Sequence, residues 1–271
     1  MSTVTTTVPT GTPAPPPART TPEPVPTSRL LHVELVKMFD TRAGAWLLRS
    51  VAITSVLATA AVILWAPDSA LTYATFATAI GVPVGVLLPM IAILSVTSEW
   101  SQRTGLTTFT LVPARGRVIG AKLVCAVGVG VVSMLVAFAV GALGNVIGTA
   151  IAGTPLVWDT DVATLAQILL ANVLNMLVGF MLGVLLRSSP VAIVGYFIYG
   201  FALVPVLELL AHAQQWFADA RPWIDYHFAQ SALYEGHLGG SEWAHLLVAA
   251  LIWLVLPTLI GLRLVMRTEV K

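Results

Sequence analysis

Charged residues are scarce in this chain, and that scarcity is the first constraint on its class. Only 10% of its 271 residues are Asp, Glu, Lys or Arg, whereas 57% are hydrophobic, and the mean hydropathy is +0.87. A soluble domain carries about 25% charged residues, so this composition excludes a soluble globular enzyme. Cysteine is almost absent as well, and Cys125 alone cannot form an intrachain disulfide or a cysteine-based metal site.

An excess of one charge is also lacking. The 14 Lys and Arg residues nearly balance the 13 Asp and Glu residues, which leaves a net charge of +1. Nothing in this balance favours nucleic acid as a partner. The placement of the charges along the chain is therefore more informative than their sum.

The first 28 residues lack any apolar run. They hold 8 of the 17 prolines, nine threonines and only two charged residues, Arg19 and Glu23. A segment of this kind buries too little surface to offset its ordering entropy. We therefore expect residues 1–28 to form a disordered, partly polyproline tail, and residues 29–271 to form the folded domain.

Beyond the tail, six windows contain no Asp, Glu, Lys or Arg. They are Ser50–Pro67, Ser69–Ser98, Leu123–Trp158, Val162–Leu186, Ser188–Leu207 and Trp243–Leu262. Each is near or above the ~18–20 residues that cross a bilayer as a helix. The sequence thus predicts an all-α integral membrane protein with six spans. Pro83 and Pro89 should kink the second span, and the third should end between Asn145 and Gly153.

The basic residues indicate the orientation of these spans. With both termini in the cytoplasm, every Lys and Arg of the chain except Arg221 falls on the cytoplasmic side. Basic residues concentrate in cytoplasmic loops of membrane proteins. We therefore expect a multi-pass protein of the cell membrane with both termini inside.

A short amphipathic helix is predicted before the first span, at residues 29–42. Leu31, Leu35, Met38 and Phe39 share one helical face, whereas Glu34, Lys37 and Thr41 should lie away from it. Such a helix lies in the membrane interface. It is either a surface that touches a cytoplasmic partner or a passive anchor.

Residues 99–122 form the longest cytoplasmic segment between two spans. Glu99 and Arg103 are one helical turn apart and can pair on a helix. The segment continues through a Thr cluster and Pro113 to Lys122. It either projects a short helix into the cytosol or supplies positive charge for orientation alone.

These two segments resemble the permease subunits of ATP-binding cassette transporters of the type-2 exporter class, especially those of actinobacteria. The matching stretches are Glu34–Leu48, ELVKMFDTRAGAWLL, and Thr97–Lys122, TSEWSQRTGLTTFTLVPARGRVIGAK. Permeases of this class typically show a Glu-Leu-x-Lys opening with a following Thr-Arg and aromatic residue. After the second span they show an acidic-aromatic pair, a Gly-Thr step and an Ala-Lys pair. In this chain Leu106 follows Gly105 in place of the threonine.

The resemblance implies a function for both segments. Similar proteins form homodimers or heterodimers of two permeases, and each half rests on a separate cytoplasmic ATPase, which holds the ATP and Mg²⁺. This chain would need no cofactor of its own. The residues expected to contact the ATPase are Glu99, Trp100, Arg103, Gly105, Pro113, Arg115 and Arg117. Those expected to act in the interfacial helix are Glu34, Lys37, Phe39 and Arg42.

Residues 208–242 form an aromatic-rich segment on the predicted outer side, longer than a connector requires. In similar exporters, the corresponding stretch forms short helices that dip into the outer leaflet. His212, His227 and His237 occur here, but their spacing matches no metal-ligand pattern, and we expect no metal site.

Polar residues within the spans are few and are therefore candidates for a pathway. They are Asn145, Gln167, Asn172, Asn175 and Glu208. The amides could equally form hydrogen bonds between helices. Three small-residue pairs permit close helix approach, namely Gly81 with Gly85, Gly144 with Gly148 and Gly179 with Gly183.

Two other classes remain open. A secondary transporter driven by an ion gradient usually has intramembrane acids and broken helices, of which Glu208 is thin support. An integral membrane enzyme needs acid, base or metal groups that converge at one depth. An apolar pathway with few fixed charges suits an amphiphile such as a drug, a lipid or a peptide.

Overall fold

The chain folds as a bundle of α-helices. The computed structural model describes residues 25–101, 115–236 and 238–267, and no β-strand occurs among them. Six helices in this part of the chain are long and apolar enough to cross a membrane. Their number agrees with the six charge-free windows, and the architecture is that of a multi-pass, all-α membrane protein.

We number the helices along the chain. The amphipathic helix is α1 (Thr27–Asp40). The spanning helices are α2 (Arg42–Trp65), α3 (Tyr73–Ser101), α4 (Arg115–Ala152), α5 (Val162–Leu186), α6 (Ser189–Ala213) and α9 (Gly240–Arg267). Two short helices, α7 (Gln215–Ile224) and α8 (Tyr226–Glu235), lie between α6 and α9.

Helix α4 begins and ends earlier in the chain than the third charge-free window, Leu123–Trp158. The helix ends at Ala152, inside the range in which we expected the third span to stop. It begins at Arg115, so the last residues of the predicted cytoplasmic segment belong to this helix. The tail, apart from residues 25–28, and residues 102–114 lie outside the described part of the chain.

Helices α3 and α5 form the centre of the bundle. α3 packs against α2, α4, α5 and α6. α5 approaches α3 closely because a Cβ at Gly179 would lie 2.5 Å from the carbonyl oxygen of Pro89. Gly144 likewise lets α4 approach Thr59 of α2. The expected close approach is thus confirmed for these two glycine pairs but is wrong for Gly81, around which nothing lies within 4 Å of a Cβ position.

The prolines of α3 lie inside one continuous helix. Pro89 has no amide hydrogen, so the carbonyl of Gly85 loses its helical donor. Asn175 Nδ2 of α5 donates to this oxygen at 2.8 Å, and the Tyr196 hydroxyl of α6 donates to it at 3.3 Å. Neighbouring helices therefore satisfy the freed carbonyl, as expected for a proline within a membrane helix.

The fifth and sixth spans share an irregularity that periodicity did not predict. α6 contains a π-helical turn at Tyr199–Leu203, and α9 contains one at Leu251–Val255. A proline follows each turn closely, Pro205 in α6 and Pro257 in α9. Turns of this kind accommodate a local break in the helical hydrogen-bond ladder.

Helix α1 is amphipathic, but its orientation differs from the prediction. Its buried residues are Leu30, Glu34 and Met38, so placing Glu34 away from the packed face was wrong. Leu35 and Phe39, predicted to share the face of Met38, are 39% and 54% exposed. The helix turns this way because Lys122 of α4 pairs with Glu34, and the exposed apolar side is left for a membrane interface.

Candidate functional site

Four charged side chains meet where α1, α3 and α4 come together, and we call them the charge network. Lys122 Nζ lies 2.5 Å from Glu34 Oε2 and 3.1 Å from Glu99 Oε1. Lys37 Nζ lies 3.0 Å from Glu34 Oε1 and 3.0 Å from Glu99 Oε1. Two carboxylates and two ammonium groups give the network a formal charge of zero.

Most of the charge network is buried. Glu34, Glu99 and Lys122 are between 2% and 4% exposed, whereas the side chain of Lys37 is 40% exposed. A buried charge persists only when it is paired and hydrogen-bonded. Each member therefore requires the others, and the network fixes α1 against the two spans beside it.

The pKa of Lys37, the more exposed lysine of the charge network, depends on the two carboxylates. Burial lowers the pKa of the Lys37 ammonium, but hydrogen bonds and charge attraction from Glu34 and Glu99 outweigh this effect. The pKa of Lys37 is thereby raised above its ordinary value. Lys37 stays charged at neutral pH and keeps both contacts.

The remaining residues expected to contact an ATPase have mixed positions. Trp100 packs against the main hydrophobic core. Arg117 donates to the carbonyl of Val25 at 2.7 Å, which fastens the start of α1 to α4. Arg42 begins α2, and Arg115 begins α4. Arg103, Gly105 and Pro113 lie outside the described residues, as does the predicted Glu99–Arg103 pair.

A cavity of about 820 Å³ lies at the opposite end of α3 from the charge network. Ala74 at its mouth and Glu99 in the network are separated by most of α3, roughly 37 Å of helix. The cavity lies between α3, α5, α6 and α8. It is lined by Ala74, Ala77, Thr78, Gly81, Val82, Gly85, Val86, Asp159, Thr160, Asp161, Thr164, Ile168, Asn172, Asn175, Tyr196, Tyr234 and Glu235.

Helix termini position the carboxylates at the mouth. Asp159 Oδ1 accepts a hydrogen bond from the amide of Ala74 at 2.8 Å, at the start of α3. Asp161 caps α5, and its Oδ1 accepts from the amide of Thr164 at 2.8 Å. Glu235 ends α8 and is exposed. Three acids therefore surround one opening.

Amides and a phenol form the inner wall. Asn175 Nδ2 and the hydroxyl of Tyr196 lie 3.0 Å apart, and both donate to the carbonyl of Gly85. Asn172 Nδ2 donates to the carbonyl of Ile168 at 2.9 Å. Asn172 is 1% exposed, and its Oδ1 accepts no hydrogen bond.

The structure brings together some of the predicted pathway residues and separates others. Asn172 and Asn175 both line the cavity, deeper along α5 than Asp161, which lines the cavity at the start of that helix. Asn145 is fully buried and donates instead to the carbonyl of Val157 at 2.8 Å. Gln167 does not line the cavity. Glu208 is exposed on α6, within a helix long enough to span.

Three features of these sites were missed in the sequence. Lys122 was taken as the end of a loop, and nothing in the sequence marks it as the partner of Glu34 and Glu99. The four-residue spacing of Gly85 and Pro89 already predicts a carbonyl in need of a donor. No local signal marks Tyr196 or Glu235, because the fold alone brings α6 and α8 to the cavity.

The stretch Gly116–Leu123, GRVIGAKL, can be compared with a phosphate-binding loop. Its Gly and Lys partly imitate a phosphate-binding loop, but the spacing differs from that motif. In the structure this stretch lies inside α4. The stretch is therefore part of a helix and not the glycine-rich loop that the motif requires.

No protein-family model and no curated protein matches this chain.

Proposed function

We propose that the chain is the membrane-spanning permease subunit of an ATP-driven exporter, powered by a separate cytoplasmic ATPase. The observation that carries this proposal is the charge network. It joins the interfacial helix to the two spans that border residues 102–114, the segment whose sequence resembles a coupling loop. The six spanning helices support the membrane setting.

The position of the network suits mechanical coupling. Glu99 lies just before residues 102–114 and Lys122 lies after them, and the two side chains meet at 3.1 Å. Both also contact Glu34 or Lys37 of α1. A push on the segment would thus move α1, α3 and α4 as one unit, and packed interfaces pass on such rigid-body motion.

The rest of the proposal follows the resemblance and the charge distribution. Two permeases, identical or different, assemble with the ATPase, which supplies ATP and Mg²⁺. The assembly lies in the cell membrane with both termini in the cytoplasm. Its cargo is an amphiphile, such as a drug, a lipid or a peptide.

The decisive experiment uses the complex purified from its own membranes and reconstituted in proteoliposomes. ATP hydrolysis and export are compared for the parent, Glu99→Lys, Lys122→Glu and the double swap. We expect each single reversal to lower export more than ATP hydrolysis, and the double swap to restore part of the loss. Export by both single variants at the parental rate, with parental expression levels, would contradict the proposal. The same comparison with Arg103→Glu tests the predicted pairing of Glu99 and Arg103.

Secondary transport is the second candidate, and the π-helical turns of α6 and α9 favour it. Broken helices near the middle of the membrane are common at the ion sites of secondary transporters. Vesicles that contain the chain alone separate the two functions. Uptake driven by an imposed proton or sodium gradient, without ATP, would favour secondary transport. Activity that requires both the partner and ATP would favour the exporter.

A further inference from the structure

We propose that the cavity between α3, α5, α6 and α8 binds an organic ammonium ion with an apolar body. This inference goes beyond the proposed function, because binding to the chain requires neither the ATPase nor transport. It rests on the charge at the mouth, the inner acceptor and the open space beside Gly81.

The charge at the mouth favours a cation. Asp159, Asp161 and Glu235 line it, and none of the lining residues is Lys, Arg or His. The N-termini of α3 and α5 offset part of this charge, since each helix N-terminus carries about +0.5 elementary charge. Even without Asp161, the two full negative charges of Asp159 and Glu235 exceed the two partial charges, which together amount to about +1, so the opening stays negative.

The inner wall presents an acceptor without a donor. Asn172 Oδ1 accepts no hydrogen bond, although Asn172 is 1% exposed and lines the cavity. The bond from its Nδ2 to the carbonyl of Ile168 fixes the orientation of the amide, because the reverse orientation would set two oxygens against each other. A buried acceptor of this kind favours a ligand with an N–H group.

The neighbouring polar groups do not supply that donor. Asn175 Nδ2 and the hydroxyl of Tyr196 both donate to the carbonyl of Gly85. Between mouth and inner wall, the lining is largely apolar, with Ala77, Val82 and Ile168 among it. A volume of about 820 Å³ is within the range of pockets for drug-sized molecules. The cavity thus fits an apolar body that carries one ammonium group.

Gly81 offers a way to block the cavity without disturbing its walls. It lines the cavity, and a Cβ at this position would meet nothing within 4 Å. The side chain of Gly81→Leu would therefore occupy the cavity. Asp68→Asn is the matched control for loss of charge, because Asp68 is an exposed acid outside the lining.

The test measures binding to the full chain in phosphatidylcholine nanodiscs. The probe is 2-naphthylmethylammonium, followed by its fluorescence, and the controls are 2-naphthalenemethanol and 2-naphthoate. We expect the ammonium ion to bind at least about tenfold more tightly than either control, since a hydrogen bond to a charged group contributes at this level. Equal binding of the ammonium ion and the carboxylate would overturn the proposal.

The variants locate the site. We expect Gly81→Leu to abolish ammonium binding and Asn172→Leu to weaken it about tenfold. Glu235→Gln should weaken it by a smaller factor, about two- to fivefold, because exposed charges are screened. Asp68→Asn should leave it unchanged. Unchanged binding by a folded Gly81→Leu variant would overturn the assignment to this cavity.

A second measurement does not depend on that variant. Gly81→Cys in a Cys125→Ser background is treated with 2-aminoethyl and 2-sulfonatoethyl methanethiosulfonate, which differ in charge. We expect the cationic reagent to react several-fold faster, relative to the same pair at Ser69→Cys outside the cavity. An equal ratio at the two positions would refute the negative opening.

Discussion

The two lysines of the charge network have the same partners but differ in burial, so their removal should have unequal costs. Lys122→Met leaves Glu34 and Glu99 buried with one lysine between them. Breaking a buried pair by removing one partner costs about 3–5 kcal/mol. Lys37→Met should cost less, about 1 kcal/mol, because Lys37 is 40% exposed and its contacts are screened.

Unfolding by SDS titration, followed by tryptophan fluorescence, would measure both lysine variants. Glu34→Gln combined with Lys122→Met is the control, because it removes one charge of each sign from the buried part. The double variant should be more stable than Lys122→Met alone. Equal stability of the two single lysine variants would mean that burial does not determine the strength of the network.

At the residue scale, the sequence predicts which side chains matter better than it predicts their partners. Glu34 and Glu99 were singled out in the two segments that resemble the permeases, whereas Lys122 was taken as the end of a loop. Glu99 pairs with Lys37 and Lys122 of other helices, which the sequence did not predict, whereas its expected partner Arg103 lies outside the described residues. Helical spacing reveals only neighbours three or four residues apart, whereas partners on other helices depend on packing.

At the scale of helices, the contact between α3 and α5 depends on Gly179. A Cβ there would lie 2.5 Å from the carbonyl oxygen of Pro89, and backbone atoms cannot move aside as a flexible side chain can. Gly179→Ala should therefore destabilise the bundle by about 1–3 kcal/mol, as overpacking does. Gly128→Ala is the matched control, because nothing lies within 4 Å of its Cβ position. Similar unfolding midpoints for the two variants would contradict the close approach.

The carbonyl of Gly85 permits a second test at this scale. Asn175→Leu removes a donor from it, which should cost about 1–3 kcal/mol for a buried acceptor. In a Pro89→Ala background the helix regains its own donor, so the same change should cost less. A double-mutant cycle measures the difference as a coupling energy. A coupling energy of zero would show that Asn175 does not compensate for Pro89.

The helices themselves are the best-predicted level of the fold. Six charge-free windows correspond to six spanning helices, because the length of an apolar run and the thickness of a bilayer are matched. The π-helical turns of α6 and α9 were not predicted, since they change the hydrogen-bond register without changing composition. The cavity was not predicted either, because its lining comes from four helices distant in sequence.

At the scale of the whole molecule, Glu208 tests whether α6 faces lipid. It is exposed in the single chain, on a helix long enough to span. A carboxylate is costly against lipid, so we expect a second permease copy, water or a cation to cover it. Glu208→Gln should then change export or substrate preference while membrane insertion stays intact. Gain of stability by Glu208→Leu, with parental export by both variants, would place the residue against lipid.

The orientation of the bundle decides which side of the membrane the cavity opens to. The distribution of basic residues predicts that residues 2 and 271 face the cytoplasm and that Asp68, Asp159 and Arg221 face outside. Single cysteines at these positions, in a Cys125→Ser background, should react with an impermeant maleimide in intact cells only at the last three. Because Asp159 lies at the cavity mouth, its labelling also reports the cavity. Labelling of residue 271 but not of Asp159→Cys would show that the bundle has the opposite orientation. The cavity would then take its cation from the cytoplasm, and the charge network would face outside, where no ATPase could reach it.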